Sequence, residues 1–337
     1  MWEHGVSGVL KLPEEAEETV VATFSWEWMK RNAGTLWPLL VACVIILGFQ
    51  AVNPTFLKYE GLVTLVYAMS YFLIAACGLT FVIMMGSFDF SVPSVLKLAA
   101  LFCVMYIEKL GFWAIPFALL VSTGLGLLNG VLLAYLNVPS FMATLGVSIV
   151  VEGIGLYLSK GFLHIMYNER FRALATTFIF GLPSIFYWAM GIWALCTFVA
   201  LCTPFGRRTY AIGGNLTAAR LSGINVERQR VYVFALSGFL AGLSGILYMA
   251  QLGGGSMLIG SDMSIPLFAS VVAGGTALSG GMGGPHRTLL GVIIITWIQS
   301  GMLMLALGRD IQMVIFGLIA VGVAIATMDR KRIRVVK

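Results

Sequence analysis

The sequence predicts an all-α polytopic membrane protein with about ten transmembrane helices. Three observations carry that reading. First, 59% of the 337 residues are hydrophobic and only 11% are charged, less than half the share of about 25% usual in a soluble domain. Second, charge-free stretches recur at 32–57, 61–88, 110–151, 173–206, 231–261, 263–286, 288–308 and 311–328. Third, none of these stretches alternates apolar and polar residues as an outer-membrane barrel strand would, so helices are the spanning element. The mean hydropathy of +0.93 excludes a disordered chain, a charged nucleic-acid binder and an ordinary cytosolic enzyme.

The elements follow in chain order. Residues 1–34 are polar and partly acidic, with Glu14, Glu15, Glu17 and Glu18, and lack the basic-then-apolar start of a signal peptide. They read as a cytoplasmic tail. A crossing needs roughly 20 apolar residues, and the transmembrane region 35–328 divides into spans near 35–52, 61–84, 94–108, 112–136, 141–159, 179–203, 229–251, 264–279, 286–306 and 309–327. Asn137-Val138-Pro139-Ser140 breaks the longest charge-free stretch in two, and the third span carries Lys97. The segment 204–228 is the long polar loop, and 329–337 is a basic C-terminus. The five cysteines, Cys43, Cys77, Cys103, Cys196 and Cys202, lie inside these spans without metal-ligand spacing, so they read as small core residues.

An even number of spans puts both termini on one side, and the Lys/Arg bias chooses the side. With the termini inside, 14 of the 21 basic residues are inside, counting Arg207, Arg208, Arg220, Arg228 and Arg230 of the long loop. Lys58, Lys109, Lys160, Arg170, Arg172 and Arg309, 6 residues, are outside. Both termini are therefore expected in the cytoplasm. Inner loops facing anionic lipid account for the net charge of +6 without a nucleic-acid partner.

Two short matches recur in the same order. Gly86-Ser87-Phe88-Asp89-Phe90-Ser91-Val92-Pro93 resembles Gly260-Ser261-Asp262-Met263-Ser264-Ile265-Pro266, and Pro139 with Leu145-Gly146-Val147 resembles Pro285 with Leu290-Gly291-Val292. The shift is five spans, which inverts orientation, as a 5+5 inverted-topology repeat does. Turn residues shared by two unrelated loops would look the same over so short a stretch.

The loop Thr203 to Asn225 is the most informative segment. Asn215 or Thr217 can cap a short helix over Ala218 to Ser222, and Gly223 can end it. Ala218 and Ala219 give that helix a small face for seating in a groove, and Arg220 offers a forked donor to a partner carboxylate. Such a knob suits a membrane protein driven by a separate subunit.

At these residues the chain resembles the permease subunit of binding-protein-dependent ABC importers of the ribose, xylose and galactose family. That family's Gly-Arg-x-x-Tyr-Ala-Ile-Gly-Gly-Asn-x-x-Ala-Ala-Arg-x-Ser-Gly-Ile signature is similar to Gly206 through Ile224 almost position by position. Phe88-Asp89-Phe90-Ser91, Val138 through Gly146 and Gly274 through Gly283 are similar to further family blocks, in order, from about residue 60 to 328. The resemblance implies a type II-like importer fold, a second permease subunit (identical or not), a cytoplasmic ABC ATPase and an extracytoplasmic sugar-binding protein. It implies that Gly213, Gly214, Asn215, Ala218, Ala219, Arg220, Gly223 and Ile224 form a coupling helix docked on the ATPase. This chain would bind no cofactor or metal itself, with ATP and magnesium on the partner ATPase. Ser87, Pro93, Lys97 and Glu152 depart from the family pattern, near the expected path, and bear on the substrate more than the fold.

Leu278-Ser279-Gly280-Gly281 looks like the signature of an ABC ATPase. That motif requires a G-x-x-x-x-G-K-[ST] phosphate loop in the same domain, and no Gly-Lys followed by Ser or Thr occurs in the sequence. The segment reads instead as a tight glycine-rich break between spans.

Polar groups inside spans are costly and are functional candidates by default. Asp89 can orient a helix break by accepting backbone N–H bonds or can face the solute. Asn129, between Gly126 and Gly130, fits either an interhelical hydrogen bond or the path. Ser91, Phe141, Thr144 and Thr276 complete the candidate path residues. Lys97 pairs with Glu152 or snorkels to an interface. His4, His164 and His286 are far apart, and no nucleophile, triad or paired acid assembles, so no catalytic residue is assigned. The leading expectation is a monosaccharide importer subunit in the cytoplasmic membrane. Branched-chain amino acid or nucleoside import, and an ion-coupled secondary transporter using Asp89 with Glu152, are the alternatives.

Overall fold

A computed structural model describes residues 43, 44, 46–52, 54–260 and 263–327. The tail 1–34, the basic end 329–337, half of the first expected span and the pair Ser261 and Asp262 lie outside the described residues. After a helical segment over 46–52 come α1 (Tyr59–Met84), α2 (Val92–Leu110), α3 (Ala114–Ala134), α4 (Ser140–Ser159), α5 (Glu169–Thr176) and α6 (Ser184–Cys202). They are followed by α7 (Pro204–Gly214), α8 (Leu216–Leu221), α9 (Val226–Leu252), α10 (Ser264–Ala273), α11 (Pro285–Met304) and α12 (Arg309–Thr327). The strands have two residues each: β1 (His164–Ile165) pairs antiparallel with β4 (Gly254–Gly255), and β2 (Phe178–Ile179) with β3 (Leu182–Pro183).

Among the described residues, six helical stretches are long and apolar enough to cross a membrane: α1, the continuous run Val92–Ala134, α4, α6, α9 and α11. The run Val92–Ala134 is not one rod. Phe102 and Phe117 stack with ring centroids 4.9 Å apart, whereas 15 residues of straight helix span about 22 Å. The chain reverses at Gly111, whose φ of 57° a side chain would strain, and α2 and α3 lie side by side.

The buried centre is the pair α1 and α9. From Met69 to Met84 nearly every α1 side chain is buried. Lipid gives helices no hydrophobic reason to associate, so close backbone approach has to supply the contact. The sequence provides it with small residues. Gly126-x-x-x-Gly130 of α3 crosses Gly238-x-x-x-Gly242 of α9, and a Cβ built on Gly126 or Gly238 would lie 3.0 Å from the other's Cα. Gly78 of α1 meets Ser237 of α9 in the same way, at 3.1 Å. The outward face of α6 keeps large apolar side chains exposed, such as Leu195 and Phe198, as a lipid-facing helix does.

Two expectations change. The interval 264–279 holds only the ten residues of α10, about 15 Å of helix, half the thickness of a hydrocarbon core. The helix stops at the Gly274-Gly275 pair: Gly275 has a φ of 92°, a backbone that cannot continue an α-helix, and Gly280, Gly281, Gly283 and Gly284 also have positive φ. The long loop after α6 is not irregular up to Asn215 either. It folds as α7, with Pro204 at its first turn and the Thr203 hydroxyl accepting from the Gly206 N–H at 3.4 Å. Of the cysteines described, Cys77, Cys103 and Cys196 are buried, while Cys43 and Cys202 are exposed.

Candidate functional site

Glycines bring three separate segments together at one end of the bundle. The Gly281 N–H donates to the Met84 carbonyl at the end of α1, at 2.8 Å. A Cβ on Gly213 would run into that same carbonyl, and one on Gly280 would sit 2.8 Å from the Gly86 Cα and 3.1 Å from the Gly213 Cα. The Gly-rich break after α10, the end of α1 and the end of α7 therefore meet backbone to backbone.

Polar side chains then fix α7 to the bundle. Gln229, buried in α9, donates to the Phe205 carbonyl at 3.0 Å and to the Thr209 hydroxyl at 2.8 Å. The Tyr210 hydroxyl donates to the Gly283 carbonyl at 2.6 Å. Burial raises the Tyr210 phenol above its usual range, and Arg287 pulls it partly back, so it stays a proton donor at neutral pH.

From this base α8 projects as a short knob. The Asn215 side chain accepts from the Ala218 N–H at 3.0 Å, a cap worth about 1 kcal/mol. Gly223, with φ of 79°, turns the chain, and the Ile224 N–H donates back to the Ala219 carbonyl at 3.1 Å. Asn225 starts the next helix, accepting from the Arg228 N–H at 2.9 Å. Ala219 is buried against the chain itself, Ile224 is half-buried, and Gly214, Thr217 and Ala218 are exposed. Leu221 is 85% exposed. Arg220, expected to meet a partner's carboxylate, donates to Glu227 of its own chain at 2.6 Å. Both side chains are partly exposed, so the pair stabilises the knob by at most about 1 kcal/mol.

The second cluster is the break Phe88-Asp89-Phe90-Ser91 between α1 and α2. One Asp89 oxygen accepts from the Ser91 N–H at 3.1 Å and the Ser91 hydroxyl at 2.6 Å, and the other accepts from the Ser237 hydroxyl of α9 at 2.9 Å. Asn129 of α3 donates to the Ser91 oxygen at 2.8 Å, and its own Oδ1 has no partner among the described residues. The Phe88 N–H donates to the Ser140 hydroxyl and the Phe90 N–H to the Thr144 hydroxyl of α4, each at 3.1 Å. Asp89, Ser91, Asn129 and Thr144 thus form one buried network that holds the break. Phe141 lies at its edge, exposed. Thr276 is elsewhere: it is buried in the glycine-rich break, where its hydroxyl accepts from the Gly284 N–H at 3.1 Å.

The network continues along α4. Ser94 donates to Ser148 at 3.0 Å, and Lys97 pairs with Glu152 at 2.8 Å. Ser140, Thr144, Ser148 and Glu152 fall at i, i+4, i+8 and i+12, one face of a helix. That spacing is visible in the sequence, and the pairing of Lys97 with Glu152 is the one expected from two charges within spans; Ser94, Ser237, Tyr210 and Gln229 carry no local signal. Among the described residues no group of His, Cys, Asp and Glu could hold a metal ion. The site offers hydrogen-bonding surfaces and an exposed helical knob.

Comparison with known proteins agrees with these features. The chain is 33% identical to the ribose import permease protein RbsC of Haemophilus influenzae over 296 residues, covering 85% of this chain and 91% of the relative. It is 35% identical to the probable ABC transporter permease protein YphD of Escherichia coli, covering 90% and 92%. It is 29% identical to the L-arabinose transport system permease protein AraH of Escherichia coli, covering 87% and 91%. No solved structure matches. Residues 61–324 match the family described as branched-chain amino acid transport system / permease component. With its apolar helices, the chain is a multi-pass membrane protein, and it belongs to this permease family.

Proposed function

We propose that the chain is the membrane-spanning permease subunit of an ABC importer that carries a monosaccharide across the cytoplasmic membrane. The observation that carries this reading is similarity, over 85% and 87% of the chain, to proteins named for ribose and L-arabinose transport. The family description names branched-chain amino acids, which keeps that substrate as the second reading. The relatives named for a substrate point to sugars.

The working assembly is two permease subunits, a cytoplasmic ABC ATPase and an extracytoplasmic binding protein. The 337 residues contain no phosphate-binding G-x-x-x-x-G-K-[ST] loop, which supports ATP and magnesium residing on the partner ATPase. The knob α7–α8, with Arg207 and Arg208 exposed on it, is the coupling element on the inner side, and the basic bias of that side supports both termini being cytoplasmic. The binding protein delivers solute from outside. Closure of the ATPases on ATP pushes the knob, and the glycine junction transmits that push to α1 and α10.

Ten membrane segments arranged as a 5+5 inverted repeat fit the packing, the eighth being the half-length helix α10 continued by the glycine-rich break. Counted along the chain, α1 is the second span and packs on α11, the ninth, and on α10. In turn α9, the seventh, packs on α2 and α3, the third and fourth. Swapped pairing of this kind follows from a pseudo-two-fold axis.

Reconstitution with the ATPase and binding protein tests the proposal. Vanadate-sensitive uptake of labelled ribose or arabinose is expected. Uptake abolished by collapsing a proton gradient, with ATP held constant, would instead indicate a secondary transporter.

A further inference from the structure

The Lys97–Glu152 pair is built asymmetrically. The Lys97 side chain is 2% exposed and the Glu152 side chain 46% exposed. Glu152 lies 12 residues after the start of α4, about 18 Å along a helix roughly 30 Å long, so it sits within the hydrocarbon layer. A charged side chain at that depth does not face lipid; it faces a protein neighbour or water. Lys97 occupies only Oε1, and Oε2 makes no hydrogen bond among the described residues.

The neighbouring rungs are already in use. Ser140 and Thr144 accept from the Phe88 and Phe90 amides, and Ser148 accepts from Ser94. Glu152 is the one rung of this ladder that keeps an open acceptor, and exposed Leu145 and Leu156 flank it on the same edge of α4. Lys97 neutralises the carboxylate, so the pair presents an acceptor without net charge. That suits neither a carboxylate-bearing solute, which Oε2 repels, nor a free cation, which the ammonium opposes. It suits a neutral molecule with hydroxyl donors and an apolar ring face.

We propose that Glu152, positioned by Lys97, lines the solute path and accepts hydrogen bonds from the hydroxyls of a neutral polyhydroxyl solute. The proposal rests on the importer reading and makes the edge of α4 that carries Leu145, Glu152 and Leu156 the solute-facing one.

The test uses a complete reconstituted transporter whose five native cysteines are replaced, with single cysteines at Glu152→Cys, Leu156→Cys and Val150→Cys. Val150 is exposed on a different face of α4, and Leu156→Cys keeps the ion pair whole should E152C fail to assemble. A membrane-impermeant, charged methanethiosulfonate reagent is expected to label E152C and L156C at least tenfold faster than V150C. Saturating ribose or arabinose, delivered with the binding protein, should slow both. Labelling no faster than V150C, or unaffected by sugar, overturns the proposal. Uptake by the cysteine-free parent separates the two readings. If the parent imports sugar but the α4 edge is unlabelled, only this proposal fails. If it imports no sugar, the importer reading fails, and hydroxyl recognition fails with it.

Discussion

The knob at α8 and the ladder between α2 and α4 are both polar devices in an apolar chain, but they are held together differently. Short-range bonds build the knob: Asn215 caps α8 from three residues away, Gly223 closes it, and Arg220 reaches Glu227 seven residues on. Long-range bonds build the ladder. Phe88 meets Ser140, Phe90 meets Thr144 and Lys97 meets Glu152, each across more than fifty residues. The knob is exposed and changes little if one bond is lost. In the ladder Asp89, Ser91, Ser94, Lys97 and Thr144 are buried, so a partner lost there leaves a polar group stranded in low dielectric.

The comparison can be broken first where both devices depend on the glycine junction. Gly213→Val would drive a side chain into the Met84 carbonyl and the Gly281 amide. A loss of more than about 4 kcal/mol is expected, the range of severe backbone and overpacking defects, visible as loss of monodisperse protein in detergent. Near-normal yield would mean that the three segments do not touch.

Asp89→Ala sharpens the ladder's side. It strands the Ser91 amide and the hydroxyls of Ser91 and Ser237, which should cost about 1–3 kcal/mol. Thermal unfolding in detergent checks it, with Ser237→Ala expected to lose less.

Asn215→Ala is the corresponding cut on the knob, where loss of one cap should cost about 1 kcal/mol. Amide exchange should accelerate over residues 216–221 and not over α1. Exchange rising throughout the bundle would mean that the knob is not an independent unit.

The smallest effect on stability is expected from Arg220→Glu, below about 1 kcal/mol because the pair is exposed. Its effect on transport should be much larger, since membrane insertion stays intact while ATP-driven uptake is uncoupled. Normal ATP-dependent uptake by that variant would remove Arg220 from the coupling surface.

These differences also explain what could be read from the sequence. Helices were legible where an apolar run met a breaker, as at Asn137-Val138-Pro139. The knob's caps were legible because Asn, Ala and Gly have positional preferences that act within a few residues. The shortness of α10 was not, because the charge-free stretch runs on to His286 while the helix ends at Gly274 and Gly275, which lie against Arg287 and Thr288 of α11. α7 escaped notice because Gly206, Gly213 and Gly214 weaken its helix propensity, and packing against Gln229 and Gly283 compensates. Asp89's partners were invisible, since Ser237 lies 148 residues away. Arg220 had a suitable acceptor in Glu227 close by, and the donor geometry that suits a partner serves the chain's own carboxylate equally well.

The central claim is that α8 stands on the inner side, where a separate ATPase grips it. Leu221, 85% exposed at its tip, reports on this most directly. With Leu221→Cys as the single cysteine, a membrane-impermeant thiol reagent should label inside-out vesicles and not right-side-out ones, and adding the purified ATPase should suppress that labelling. Labelling from the outer side, or labelling that the ATPase leaves unchanged, would contradict the account.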